Sequence, residues 1–154
     1  MAIAKRLKWF MDVHRTRYEI LTHPHSGSSR ESAAKARIPA DQLAKPVLLE
    51  DKRGYLLAVL PATQRVSIAS LEAQTHRKLE LASEDELEEI FFDCERGAVP
   101  PVGPAYGVPT VIDESLLQVE DVYLEGGDHE ELVRLDAASF ADLLSGSRRC
   151  SFAS

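Results

Sequence analysis

Pro46-Val47-Leu48-Leu49-Glu50-Asp51-Lys52-Arg53-Gly54-Tyr55-Leu56-Leu57-Ala58-Val59-Leu60 decides how the rest of this chain is read. Two short apolar runs, Pro46–Leu49 and Tyr55–Leu60, flank the charged stretch Glu50–Gly54. That pattern is a β-hairpin with a polar turn. Both runs are nearly continuous in apolar residues, so both strands are expected to be covered on two faces.

On the N-terminal side, Ile3, Leu7, Phe10 and Met11 recur at helical spacing. Ala2–His14 therefore reads as a helix, with Lys5, Arg6 and Lys8 on its other faces. Arg17–Thr22 reads as a strand stopped by His23-Pro24. Ser28 and Glu31 make a capping box for a helix over Ser29–Arg37, which Pro39 ends. On the C-terminal side, Ser67 caps a helix to Ala73, and Ser83 with Glu86 opens another to Phe92. Gly97–Pro109 is a loop stiffened by Pro100, Pro101, Pro104 and Pro109. Val108–Ile112, Val122–Glu125 and Leu132–Leu135 are strands. Asp136 caps a last helix to Leu144, and Gly146 stops it. Strands and helices intermix without a regular βαβ rhythm, which predicts an α+β fold.

A length of 154 residues suits one domain, residues 1–154, with an N-terminal helix inside 1–16 and a frayed tail over 147–154. A composition with 44% hydrophobic and 28% charged residues excludes a disordered chain. Cys94 and Cys150 are too few for a disulfide framework and belong to no C-x-x-C. No apolar run has the length of a membrane span or the form of a secretion signal. A cytoplasmic location is the simplest expectation.

Several positions carry chemistry on local grounds. Lys45, just ahead of an apolar strand, either snorkels outward or points into a cavity for an anion or carbonyl. In Gly97-Ala98-Val99-Pro100-Pro101-Val102-Gly103, glycine permits close backbone approach and proline fixes the shape in advance. Its N–H groups either bind an oxyanion or belong to a rigid crossover. In Gly126-Gly127-Asp128-His129, a turn needs the glycines but not the histidine, which orients a substrate, relays a proton or is a satisfied turn residue.

His23-Pro24-His25 lacks a third ligand type nearby, so no metal is expected. Ser26–Arg30 at a helix start either holds a phosphate or simply caps, and it is not a Walker loop. Cys94 reads as a structural thiol, and no G-x-S-x-G elbow occurs. Glu84–Glu89 reads as a solvated face, and Trp9 as packing.

Six stretches in order resemble the YbaK/prolyl-tRNA-synthetase-associated domain family. They are AKPVLL at 44–49, GYLLAVLPA at 54–62, LASEDELEEI at 81–90, GAVPPVGPAYGVP at 97–109, IDESLL at 112–117 and GGDHEELVRL at 126–135. The likeness runs from about Arg17 to Leu144. It implies a mixed, partly closed, barrel-like sheet flanked by helices.

The resemblance also implies a deacylase that hydrolyses, in trans, the ester of a mischarged small amino acid on tRNA, with tRNA(Pro) the expected carrier. Alanine, cysteine, serine and threonine all suit it. Lys45, Gly97 and His129 then form the catalytic set. Lys45 holds the 3′ end, and the GxxxP loop Gly97, Ala98, Val99, Pro100, Pro101 grips the carbonyl and its oxyanion. Gly127, Asp128, His25 and Ser26 are expected to touch substrate. Water or a substrate hydroxyl attacks, with no cofactor and no metal. The implied partners are the mischarged tRNA and prolyl-tRNA synthetase, not DNA and not a membrane. The alternatives are a non-catalytic tRNA- or synthetase-binding module of the same fold and a hydrolase of unrelated small esters. Pro46 stands where threonine is common in the family, and Glu50-Asp51 where basic or polar residues are.

The net charge of −7 is an average that conceals a split. Residues 1–53 carry eleven Lys and Arg against six Asp and Glu, while residues 54–154 carry seven against nineteen. A phosphate-facing surface is therefore expected in the first third, around Arg30, Lys35, Arg37 and Lys45.

Overall fold

A computed structural model describes residues 3–154. The hairpin forms as expected: β2 (Ala44–Asp51) pairs antiparallel with β3 (Gly54–Pro61), in register from Ala44 opposite Pro61 to Asp51 opposite Gly54. The turn is tighter than the sequence suggested, because Asp51 accepts the Arg53 N–H at 2.8 Å. Arg77 then clasps the Asp51 carboxylate with two bonds of 2.7 and 2.8 Å. β3 is buried from Leu56 onward, as expected of a strand covered on both faces. β2 is only half-buried at Lys45, Pro46 and Val47, so coverage fails there and the strand opens to solvent.

The remaining elements, in chain order, are α1 (Lys5–Val13), β1 (Glu19–Thr22), α2 (Ser29–Ala36), α3 (Ile68–Thr75), β4 (Glu80–Leu81), α4 (Glu84–Ile90), β5 (Thr110–Asp113), β6 (Asp121–Glu125), β7 (Glu131–Asp136), α5 (Ala137–Leu143) and β8 (Arg148–Cys150). Ser28, Ser67 and Asp136 cap their helices by accepting the N–H of Glu31, Ser70 and Ser139, and Ser83 with Glu86 closes a reciprocal box. The box expected at Ser28 and Glu31 is only half closed, because the Glu31 carboxylate accepts the Gly27 N–H at 3.2 Å instead of that of Ser28. The helix placed over Ala2–His14 starts at Lys5; Ala2 lies outside the described residues. Trp9 is 54% exposed and does not pack with the apolar face of α1.

The strands form two sheets rather than one partly closed sheet. One is antiparallel, in the order β1-β7-β6. The other is mixed, in the order β4-β2-β3-β5-β8, with β5 parallel to both of its neighbours. They meet where Leu43 bridges Tyr123, and β2 then pairs with β3 instead of continuing along β6. The sheets therefore do not close into a barrel. The main core, with Leu7, Met11, Phe91, Ile112 and Phe140, lies against both sheets, and a second core gathers Leu49, Leu60, Leu71 and Val111 under α3.

The tail from Ser147 does not fray. β8 pairs with β5, Phe152 is 2% exposed in the second core, and Asp113 accepts the N–H groups of Phe152 and Ala153, both at 2.9 Å. One buried aromatic ring and a carboxylate that fixes two amides outweigh the polar composition of the segment.

Candidate active site

Where β2 opens, the start of α2, the start of α4 and the Gly97 loop enclose a cleft of about 320 Å³. Ser28, Ser29, Arg30, Lys45 and Glu84 supply its polar lining. Pro46, Ala62, Leu87 and Val99 supply the apolar lining, and Gly27 and Gly97 complete it. A larger open depression of about 820 Å³ lies at the far end of the hairpin, around Glu50–Arg53 and His76–Glu80. It contains the Asp51–Arg77 ion pair and holds none of the expected site residues. The smaller cleft is therefore the candidate site.

Lys45 enters the cleft from β2. Burial pulls its ammonium pKa below the ordinary lysine value, and the nearby charges of Arg30 and Arg65 pull in the same direction. Among the described residues, none of these three cations takes part in an ion pair. Lys45 and Arg30 thus share the cleft beside the N-terminus of α2, with Arg65 close enough to repel Lys45, an arrangement that favours an anionic ligand.

Gly97 faces the cleft with φ +82°, a conformation that glycine adopts without strain. A β-carbon there would stand 3.1 Å from Cε1 of His129. His129 is 5% exposed and itself left-handed, at φ 63°. Its Nε2 donates to the Arg96 carbonyl at 2.5 Å. Nδ1 is buried without a partner. The His25 ring lies 5.4 Å away, its Nε2 3.7 Å from the Glu95 carboxylate. Ser26 is buried beneath: its N–H donates to the His129 carbonyl at 3.2 Å, and its hydroxyl meets that of Ser32 at 2.5 Å.

The expected residues thus divide into two layers. Lys45, Gly97 and Val99 share the cleft. Ala98, Pro100 and Pro101 are buried behind the loop and shape it. Gly127 accepts the Glu95 N–H at 2.8 Å and packs against Ala4 and Cys94. Asp128 holds the amides of Glu130 and Glu131 at 3.0 and 3.1 Å. Gly127, Asp128, His25, Ser26 and His129 form a wall behind the loop rather than the lining of the cleft.

Sequence reasoning marked Arg30 by the charge split but missed Arg65, Ala62, Glu84 and Leu87. It also missed Glu125, whose carboxyl is fully buried behind Ser29. Nothing in spacing or composition singles out a glutamate at the end of a strand. Cys94 is half-buried, and burial pushes its thiol up to about 12. His23 is buried with Nδ1 on the Pro24 carbonyl at 2.7 Å. Among the described residues no three His, Cys, Asp or Glu side chains gather as a metal site, and no helix is long and apolar enough to cross a membrane.

The aminoacyl-tRNA editing domain matches residues 23–143 of this chain. Among solved structures, a hypothetical protein shares 21% identity at a TM-score of 0.85, covering 97% of this chain and 100% of its own. A proposed trans-editing enzyme for prolyl tRNA synthetase shares 22% identity at a TM-score of 0.82, over 98% of this chain and 96% of its own. A proposed signal transduction protein from Marinobacter aquaeolei VT8 shares 22% identity at a TM-score of 0.76, over 96% of this chain and 30% of its own. At these identities the likeness establishes the fold. No curated protein sequence matches this chain.

Proposed function

Because this chain belongs to the aminoacyl-tRNA editing domain family, matched over residues 23–143, we propose that it deacylates mischarged tRNA in trans. The observation that carries this reading is the meeting of Lys45 and Gly97 in one cleft beside unpaired Arg30. Phosphates of the tRNA 3′ end lie along Lys45, Arg30 and Arg65, whose mutual repulsion an anion relieves. The aminoacyl carbonyl then approaches the Gly97 loop.

Water adds to the carbonyl carbon and loses one proton to solvent, and loop N–H groups hold the resulting oxyanion. Collapse of the tetrahedral intermediate breaks the ester bond. The ribose oxygen leaves with a proton, and the amino acid departs as its carboxylate. No side-chain nucleophile is used, in keeping with a Cys94 thiol that stays protonated at neutral pH. His129 braces the loop through the Arg96 carbonyl and does not touch the reacting atoms. Pro46, Ala62, Leu87 and Val99 leave room for a small side chain, such as that of alanine, cysteine, serine or threonine. The expected carrier is tRNA(Pro), and prolyl-tRNA synthetase is the expected partner.

The test is a deacylation screen of the purified protein on tRNA(Pro) charged with alanine, cysteine, serine or threonine, with Pro-tRNA(Pro) as control. Release of a small amino acid and sparing of proline is the expected result. Survival of every mischarged tRNA, with binding intact, would establish the non-catalytic module instead.

A further inference from the structure

Glu84 and Leu87 lie three positions apart on α4, so their side chains share a helix face, and both line the cleft. Leu87 is buried and Glu84 is exposed. The two also line, with Pro46, a neighbouring hollow of about 150 Å³. Glu84, Pro46 and Leu87 therefore stand together on the ridge between the two cavities.

Of the other acidic residues on α4, Asp85 and Glu88 hold Arg96 at 2.6 and 2.8 Å. Glu86 accepts the Tyr55 hydroxyl at 2.5 Å and the Ser83 N–H at 3.1 Å, and Glu89 lies outside the cleft lining. Glu84 takes part in no ion pair among the described residues, although Lys45 and Arg30 line the same cleft. The cleft thus keeps one carboxylate and two cations apart instead of letting them pair.

Such a cleft matches a ligand end that carries both signs of charge. The end of a charged tRNA is of this kind. Its phosphodiesters are anionic, and an amino acid esterified through its carboxyl keeps only its α-ammonium. The α-carbon bears three groups to be placed: the ester carbonyl, the side chain and the ammonium. The Gly97 loop takes the first, and Pro46 and Leu87 border the second. The carboxylate beside them is left for the third.

We infer that Glu84 binds the α-ammonium of the aminoacyl group through a charge-assisted hydrogen bond, and so makes the site select an amino acid with a free amine. The inference rests on the deacylase reading for the identity of the ligand. An N-acylated end, such as that of a peptidyl-tRNA, is uncharged at nitrogen and gains nothing from Glu84. The contact does not depend on which small side chain is present.

The experiment compares wild type, Glu84→Gln and Glu89→Gln, the last removing the same charge from the same helix outside the cleft lining. In the first arm, kcat/KM is measured on Ala-tRNA(Pro) and N-acetyl-Ala-tRNA(Pro) at pH 6, where the amine carries its proton, after subtraction of spontaneous hydrolysis. Glu84→Gln is expected to lose about fivefold on the free amine, the size of an ion pair open to solvent, and to stay within about twofold of wild type on the acetylated substrate. Glu89→Gln is expected to match wild type on both. In the second arm, Kd is measured for tRNA(Pro) carrying alanine through a non-hydrolysable 3′-amide, for its N-acetyl form and for uncharged tRNA(Pro). Glu84→Gln is expected to weaken only the free-amine form.

Equal effects of Glu84→Gln on the free and acetylated forms overturn the inference, as does tighter binding of all three RNAs, which would make Glu84 a repeller of phosphate. A wild-type protein that binds the free and acetylated forms alike, or binds neither, overturns it too. If wild type releases no amino acid, the deacylase reading fails, and the second arm still decides the inference.

Discussion

The imidazole of His129 lies 3.1 Å from the point that a β-carbon on Gly97 would occupy, and its Nε2 lies 3.4 Å from the same point. A side chain at residue 97 would press on the ring. The same ring donates to the carbonyl of Arg96, so one histidine fixes both the height and the tilt of the loop.

Gly97→Ala meets two penalties, the contact with His129 and a φ of +82°. The left-handed conformation alone costs an alanine about 1–2 kcal/mol. Urea denaturation is expected to show a loss of that order, and deacylation is expected to fall by more than tenfold. An alanine variant with full activity would show that the loop does not need this close approach.

Lys45→Ala is expected to abolish deacylation while the circular dichroism spectrum and Tm stay near wild type, because the residue is half-buried and belongs to no ion pair among the described residues. Arg30→Ala and Arg65→Ala are expected to weaken tRNA binding and reduce its salt dependence. Each lost contact to single-stranded phosphate lowers the slope of log K against log salt by about 0.7. Unchanged slopes in all three variants would remove these cations from the tRNA interface.

The pH dependence of stability follows from Glu125. In the unfolded chain its carboxyl releases its proton near 4.5, and in the native protein near 7. Between these values the native state holds a proton that the unfolded state has lost. Stability therefore falls as pH rises through this window, by an amount on the order of 3 kcal/mol, and levels off above it. Glu125→Gln is expected to lack this decline in denaturant titrations at pH 5, 6, 7 and 8. A decline of equal size in the variant would assign it to other groups.

Phe152→Ala is expected to cost about 3–5 kcal/mol in a denaturant titration, as for a large ring removed from a core. Deletion of residues 148–154 is expected to cost more, since it also removes β8 and the amides held by Asp113. A loss below about 0.5 kcal/mol, the range of ordinary surface changes, would mean that the tail is dispensable.

Local chemistry was legible in the sequence to the residue. The caps at Ser28, Ser67, Ser83 and Asp136 fall where expected, because each bond spans only three positions along the chain. The hairpin was legible because apolar runs and a charged turn are neighbours in sequence. The polar segment after Ser147 misled, because one phenylalanine carries little weight in a compositional reading but fills a core site in the fold.

The sequence by itself determined the α+β class, the capped helices, the hairpin and the six stretches that mark the family. Each of these is set by residues close together along the chain. Only the tertiary structure decided that Lys45 and Gly97 share a cleft, that Gly127 and Asp128 stand behind it, and that Glu125 is sealed from water. Desolvation and proximity between distant residues arise when β2, α2, α4 and β6 pack together. No stretch of sequence carries those quantities on its own.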